Sequence, residues 1–468
     1  MSTYSAVVRR FLAPGFDLVR GTGTMSRLGH LERSQWWPRD RIEDQQATHL
    51  RALVQHAYDH VPYYRRVFDE RGLSPDSIQT PEDLRRLPVL SKDDIRRHSN
   101  ELMSDAVPRD QLRAGWSGGT TGERLTFYST RQERLTYAYA RWALTLEWTG
   151  VHLGEAHMSI RQQRTVGTAI TPPPRLSHRL QRLTRVDVMS VRQENLEAIA
   201  RLLQQIRPRT VHSYPSTLVL IAAFMRHGGL SCPRIPSVCV AGERLSERQE
   251  HILTEVFGSV PFIRYGSNEL HEVAGQCEVR DGLHILTEDF IIEVVDSEAN
   301  PVPPGTPGHL LITSLHNYGQ PFIRYAPGDI GTLRSDVCPC GRGLPLMSPL
   351  VWRTREYLRS ASGERVAATD IPLEPLLPDS VVQYQLVQES LDRFLLTVVP
   401  PTSGQSPDCM YLQQRVSDLL NTRLRGNVQV EVRLVKEIEM NLSGKRLSFI
   451  SHLEDQQMPF LTGQRGKP

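Results

Sequence analysis

Two successive stretches restrict the fold of this chain more than any other feature. P-R-T-V-H-S-Y-P-S-T-L-V-L-I-A-A-F-M-R-H-G-G reads as a strand, a turn, a helix and a glycine stop. S-V-C-V-A-G-E-R-L-S-E-R-Q-E-H-I-L-T-E-V-F-G repeats that order, and V-P-F-I-R-Y-G-S follows as another strand. Strands separated by helices cannot close as tight hairpins, so they run parallel and carry their helices on the sheet faces. The repeat predicts a largely parallel sheet covered by helices.

The flanking regions read differently. From about 40 to 110 the pattern is helical and polar-rich, with Ser91-Lys92 capping D-D-I-R-R-H and a Pro-Tyr-Tyr turn in H-V-P-Y-Y-R-R-V-F. L-T-F-Y-S-T reads as a short strand and Arg131–Trp148 as a long helix. From 284 the strands look antiparallel: H-I-L-T-E-D-F-I-I-E-V-V-D, G-H-L-L-I-T-S-L and Q-P-F-I-R-Y, with N-P-V-P-P-G-T-P-G as a turn signal. Strands at 381–399 and 428–436 around a helix at 410–424 suggest a small α+β domain, and 455–468 is polar and expected to fray. A chain of 468 residues exceeds one ordinary core. The expected fold is α/β: a large N-terminal domain (1–351) with mixed sheets and covering helices, its first 110 residues helical, plus a small mobile α+β C-terminal domain (352–468).

Charge excludes one class of partner. Lys and Arg number 55 against 52 Asp and Glu, a net charge of +3, without the concentrated basic face of a nucleic-acid binder. Small anions remain open as substrates, since one or two arginines suffice for them. No apolar run is long enough to span a membrane, so no membrane insertion is expected. MSTYSAVVRRFLAPGFDLVRG is a poor signal peptide and reads as an ordinary surface helix in preference to an interfacial one. Six cysteines are too sparse for a disulfide scaffold, and a cytoplasmic setting is expected. A homodimer stays open.

G-W-S-G-G-T-T-G (115–122) packs four glycines, a serine and two threonines into eight residues. A loop this rich in backbone N–H groups and short hydroxyls suits phosphate oxygens. It is not the lysine-bearing G-x-x-x-x-G-K-[ST] loop, because Glu123-Arg124 follow Gly122. On composition alone, a flexible turn before a strand is equally open.

Further motifs follow in order: Ala241-Gly242-Glu243, Tyr265-Gly266-Ser267-Asn268-Glu269, Arg324-Tyr325-Ala326-Pro327-Gly328-Asp329 and Asn441-Leu442-Ser443-Gly444-Lys445-Arg446. Together with the glycine loop they resemble the adenylate-forming enzymes: acyl-CoA synthetases, peptide-synthetase adenylation domains and luciferases. H-A-Y-D-H-V-P-Y-Y-R-R-V-F, E-D-L-R-R-L-P-V-L-S-K-D-D-I-R and Cys338-Pro339-Cys340-Gly341-Arg342 are similar to the phenylacetate–CoA ligase-like branch, which includes proteins from capsular-polysaccharide clusters. The resemblance runs from about 45 to 450.

It implies activation of a carboxylic acid, aryl or small, by ATP to an acyl-adenylate, with release of pyrophosphate and transfer to CoA. Ser117, Gly118, Gly119, Thr120, Thr121 and Gly122 would cradle the β- and γ-phosphates. Glu269 would hold Mg²⁺, a hard cation that favours carboxylate and phosphate oxygens. Tyr265, with Gly266, Ser267 and Asn268 beside it, would pack against adenine, and a buried core tyrosine is the open alternative. Gly242 and Glu243 would lie by the adenine edge, with a helix N-terminal acid left open for Glu243. Asp329 would accept from both ribose hydroxyls, and Arg353, near the domain pivot, would also contact the ribose. Lys445, on the small domain, would bridge the substrate carboxylate and the α-phosphate, a task suited to a point charge on a flexible stem. His212 and Tyr214 fall in the acid pocket.

Several positions depart from the family pattern. No lysine follows the loop's last glycine, Asn268 stands where threonine commonly precedes the metal-binding glutamate, and Pro327 replaces a threonine. Trp352, Arg355 and Glu356 alter the hinge, which leaves an amine, hydroxyl or carrier acceptor open beside CoA. A non-catalytic adenylate-binding protein is the third reading, and intact Glu269, Asp329 and Lys445 weigh against it. Finally, Cys338 and Cys340 can reach one metal, and Cys277 with His284 supplies a second pair, a segment of about 277–340. Three Cys and a His make a common closed tetrahedral zinc set. Similar ligands in the branch imply structural Zn²⁺; reduced thiols beside a surface histidine are the alternative.

Overall fold

The two strand–turn–helix repeats form at their expected places. Thr210–Ser213 and Ser237–Ala241 pair in parallel, as do His157–Arg161 and Leu183–Asp187 on the other side, giving the order 237–241, 210–213, 157–161, 183–187. Every residue of Ser237–Ala241 is buried, which is why it reads as a run of small and apolar residues and not as an alternation. Pro215 opens the helix Pro215–His227, where its missing N–H costs nothing. Ser246 and Gln249 form a capping box on Glu247–Phe257, and Gly258 ends that helix in the left-handed region.

The computed structural model describes residues 2–117, 125–162, 170–171, 176–349, 357–401 and 406–453, with 352–353 as backbone alone. Gly118–Gly122, Thr354–Glu356 and the 455–468 segment therefore lie outside the described residues. The chain divides into two compact units, Met1–Gly154 with Phe262–Arg353, and Glu155–Pro261 with Thr354–Gln456.

The first unit holds the N-terminal helices, the longest being Arg39–His60, and two antiparallel sheets. One is ordered 290–295, 308–314, 329–331, 352–353; the other 262–267, 271–275, 283–285, 346–347. The strands Leu112–Ser117 and Leu125–Thr130 form a separate antiparallel ribbon. The expected helix at 131–148 is present, with a π-turn over Glu133–Tyr137 leading into Ala138–Glu147. Its fully buried Arg141 is balanced by Glu133 at 2.8 Å and Asp289 at 3.4 Å.

Two expectations change. H-V-P-Y-Y is a helix start and not a turn, because Pro62 occupies the first position of Pro62–Glu70. Q-P-F-I-R-Y forms no regular strand. Pro321 lacks an N–H, and Arg324 takes a left-handed φ of 53°, so only single bridges form, from Tyr325 to Ile312 and to Leu90.

In the second unit, residues 357–453 form the small α+β region read from the sequence. Its sheet is ordered 429–434, 393–399, 383–388, 449–451, and the helix Cys409–Leu424 packs Leu412, Val416, Leu420 and Leu424 against it.

Candidate active site and metal centre

Parallel strands end on one edge, and ligands in open α/β sheets gather at those carboxyl ends. In the second unit the ends of 157–161, 210–213 and 237–241 bring up Arg161, His212, Tyr214 and Gly242. Arg161 Nη2 lies 2.5 Å from His212 Nε2. Lys445 reaches the same edge: its Nζ donates to the Gly242 carbonyl at 2.6 Å and lies 5.4 Å from the centre of the Tyr214 ring. The Tyr214 hydroxyl in turn donates to the Ser443 carbonyl at 3.1 Å.

The turn that presents Lys445 is closed by Asn441. Its Oδ1 accepts from Ser443 N at 2.9 Å, Ser443 Oγ at 2.7 Å and Lys445 N at 3.1 Å. This is the side-chain-to-backbone bonding for which Asn is favoured in turns. Gly444 has φ 80°, and a Cβ there would lie 2.3 Å from Val188 Cγ1, so the turn accepts no side chain. Arg446 is buried, donating to the Val191 and Ile438 carbonyls, and burial depresses its pKa. Glu243 is half-buried. Its carboxylate accepts from Ser216 N and Oγ, both at 3.1 Å, at the start of helix Pro215–His227. Burial raises its pKa, opposed by those bonds and by Lys445. This is a helix N-terminal placement of the kind the sequence left open.

The first unit assembles the other motifs. In the strand Phe262–Ser267 the Tyr265 hydroxyl donates to Asp329 Oδ2 at 3.0 Å. The pairing with His271–Gly275 shifts register between Tyr265 and Gly266. A Cβ at Gly266 would sit 2.0 Å from the His271 carbonyl oxygen, so only glycine fits. Ser267 Oγ accepts from Leu270 N at 3.2 Å, and Asn268 Nδ2 donates to the Trp116 carbonyl at 3.0 Å, beside Ser117 at the foot of the glycine loop. Glu269 is 7% exposed; its Oε1 accepts from the Tyr325 hydroxyl at 2.8 Å, while its buried Oε2 has no hydrogen-bond partner among the described residues. A buried carboxylate oxygen left open is costly unless something fills it. Asp329 pairs by backbone register with Arg353.

Cys277, His284, Cys338 and Cys340 come together, with their four donor atoms all within 4.8 Å of one another. Cys277 and Cys338 Sγ are 3.7 Å apart, and Cys340 Sγ is 3.3 Å from His284 Nε2. A tetrahedral ion with metal–sulfur bonds of about 2.3 Å has sulfur–sulfur edges of about 3.7 Å, so the donor set fits. His284 Nδ1 faces the Leu344 carbonyl at 3.4 Å, leaving Nε2 for the cluster, and Arg342 N donates to Cys340 Sγ at 3.5 Å. Burial lowers the His284 pKa to about 4, which keeps the ring neutral. The cluster can hold a metal ion.

Sequence reasoning passed over three residues. Tyr325 lies in a quoted motif without a role, and Asn441 opens another; the Asx-turn pattern Asn-x-Ser-Gly was the available signal for the second. Arg161 carried no signal, because only the sheet topology brings it beside His212.

A phenylacetate–coenzyme A ligase of Thermus thermophilus is 30% identical over 358 residues, covering 75% of this chain and 79% of that protein. The chain belongs to the phenylacetate–coenzyme A ligase family of adenylate-forming enzymes. The Escherichia coli member of the family is 29% identical over 302 residues, 63% of this chain and 68% of that one. Among solved structures, a 2-hydroxyisobutyryl-CoA ligase in the postadenylation state superposes with a TM-score of 0.73 over 91% of this chain and 92% of that chain, at 20% identity. No family model matches the chain.

Proposed function

We propose that the chain is an AMP-forming acid–CoA ligase that activates an aryl or small carboxylic acid. The observation that carries this reading is Glu269, a buried carboxylate fixed through one oxygen by Tyr325 and, among the described residues, left without a hydrogen-bond partner at the other. An oxygen open in this way, within the Tyr265–Glu269 motif, is one that a hard cation such as Mg²⁺ would fill.

In the first step the substrate carboxylate oxygen attacks the α-phosphorus of ATP, the bond to the β-phosphate bridging oxygen breaks, and pyrophosphate leaves. Two anions must meet, so charge stabilisation dominates the barrier. Glu269 would hold Mg²⁺, which would supply positive charge to the phosphate oxygens. Ser117, Gly118, Gly119, Thr120, Thr121 and Gly122 hold the outer phosphates through amides and hydroxyls. Asp329, aimed by Tyr265, accepts from the ribose hydroxyls; nucleotide-binding roles are assigned to Tyr265, Gly266, Ser267, Asn268 and Arg353 of the first unit, and to Gly242 and Glu243 of the second. Lys445 places its ammonium between carboxylate and α-phosphate, exchanging its bond to Gly242 for the substrates. His212 and Tyr214 line the acid pocket, and Arg161 orients His212. In the second step the CoA thiolate sulfur attacks the acyl carbonyl carbon and AMP leaves. We assign residues from about 352 onward to a small domain carrying Lys445. Cys277, His284, Cys338 and Cys340 would hold Zn²⁺ in a structural role, since four protein ligands would leave no position for water. Free thiolate ligands suit a reducing cytoplasm.

The test is ATP-dependent pyrophosphate release against a panel of acids headed by phenylacetate, with and without CoA. Acid-dependent release, followed by CoA thioester formation, is the expected result. Release that needs acid but whose adenylate is consumed only by amines would transfer the acceptor role away from CoA. Release that proceeds equally without any acid would overturn the ligase reading.

A further inference from the structure

The N-terminal segment forms one continuous helical run, Thr3–Val7, Val8–Leu12 and Ala13–Arg20. Its inner side is fully accounted for. Val8 is buried, Tyr4 and Leu12 pack on the core, Ser5 Oγ donates to the Leu153 carbonyl at 2.6 Å, and Arg9 is ion-paired with Glu32 and Glu147. The outer side is apolar. Phe11 is 64% exposed, Leu18 85% and Val19 86%, with Val7 exposed on the same side one turn before Phe11. A surface helix ordinarily turns polar residues outward. Here the residues facing solvent are those that lose most by it.

The border of this face is basic. Arg10, Arg20 and Arg131 are exposed, and Arg131 Nη2 donates to the Arg20 carbonyl at 3.0 Å at the helix end. The only acid before Glu32 is Asp17, and it is consumed in the following turn, accepting from Thr24 N at 2.8 Å and Met25 N at 2.9 Å. A stripe of Phe, Leu and Val rimmed by arginine, on a helix too short and too charged to cross a bilayer, has the composition of an interfacial helix.

We propose that this face docks on the surface of a bilayer containing anionic phospholipid. Hydrocarbon receives Phe11, Leu18 and Val19, and phosphate headgroups receive Arg10, Arg20 and Arg131. A second copy of the chain is a poorer occupant, because a two-fold interface through this face would set the basic rim against itself. This reverses the preference for an ordinary surface helix drawn from the sequence. The pattern of apolar and basic residues was visible there, but the side that the fold covers was not.

The test is flotation of the full-length protein with vesicles of phosphatidylcholine alone or mixed with phosphatidylglycerol. The protein should float with the mixed vesicles and release at high salt. Phe11→Asp/Leu18→Asp should reduce partitioning by more than about tenfold, given the apolar area lost from the bilayer. Arg10→Ala/Arg20→Ala should reduce binding to the mixed vesicles by roughly fivefold per arginine and leave phosphatidylcholine binding unchanged. Both variants should keep the wild-type melting temperature and pyrophosphate release, since all four side chains are exposed and lie outside the proposed site. Wild-type protein that stays unbound with both vesicle types overturns the proposal. So does vesicle binding that survives Phe11→Asp/Leu18→Asp, or a dimer in solution that this variant converts to monomer, which would assign the face to a second copy.

Discussion

Cys277, His284, Cys338 and Cys340 turn their donor atoms inward on one another, whereas Lys445 extends an ammonium from a turn closed by the Asn441 side-chain oxygen. The metal cluster sits in the first unit among the buried residues of its largest core, two of its cysteines being core members. The lysine turn sits in the second unit and is held by one asparagine, one glycine and a hydroxyl from Tyr214. A closed donor set resists change and contributes stability. Lys445, whose ammonium donates to the Gly242 carbonyl at the strand ends, is the cation to which the proposed reaction assigns chemistry. Reading which plan a charged cluster follows therefore separates structural from catalytic residues without any ligand in view.

The contrast breaks most visibly at the two centres themselves. Lys445→Ala should lower adenylation by about 10²–10³-fold, the loss expected when one preorganised charge is removed. Its melting temperature should move little, because the hydrogen bond it gives to the Gly242 carbonyl is worth about 1 kcal/mol. Pyrophosphate release and thermal denaturation, run side by side, separate the two effects; a large drop in melting temperature would mean that Lys445 is a structural residue. The metal cluster should behave the opposite way. Cys338→Ser, or a strong chelator, should cost about 3 kcal/mol or more, several degrees in melting temperature for a unit of this size. Below the melting transition, activity should persist. Metal analysis of the purified protein checks the premise, and a Cys338→Ser protein that melts like wild type would show the cluster to be reduced thiols only. Asn441→Ala lies between these cases. It leaves Lys445 in place but releases its turn, so adenylation should fall about tenfold, mostly in kcat, with Asn441→Asp retaining activity through the same Asx turn.

The legible parts of the molecule were those written locally. Strand–helix alternation over 208–267 announced the parallel sheet because each element carries its own boundary signals, such as Pro215, Ser246 and Gly258. The four residues of the candidate metal centre could be named because few residue types bind zinc. Q-P-F-I-R-Y misled, since its apolar alternation says strand while Pro321 and the left-handed Arg324 interrupt the pairing. Arg161 could not be found at all, because its meeting with His212 depends on which strands are neighbours. The same holds for Glu243, whose partner Ser216 lies on the helix Pro215–His227. Long-range pairing is set by the packed fold and leaves no mark on either residue's neighbours in sequence.

Glu269 tests whether the comparison extends within the first unit. One of its oxygens is closed by Tyr325 and the other has no hydrogen-bond partner among the described residues, so it combines both plans in one side chain. Tyr325→Phe removes the closing bond and leaves the tyrosine ring in its buried place. Without ligand the variant should lose about 1 kcal/mol, the cost of taking one donor from a buried carboxylate. Saturating Mg²⁺ and ATP should narrow that gap, because a cation at the open oxygen relieves the carboxylate that the tyrosine no longer satisfies. Differential scanning fluorimetry of both proteins, with and without Mg²⁺–ATP, reads the gap directly. A gap that narrows assigns Glu269 to the open plan and to the metal. A gap that stays constant would place Glu269 with the closed, structural groups, and the Mg²⁺ ligand would then have to be sought elsewhere in the chain.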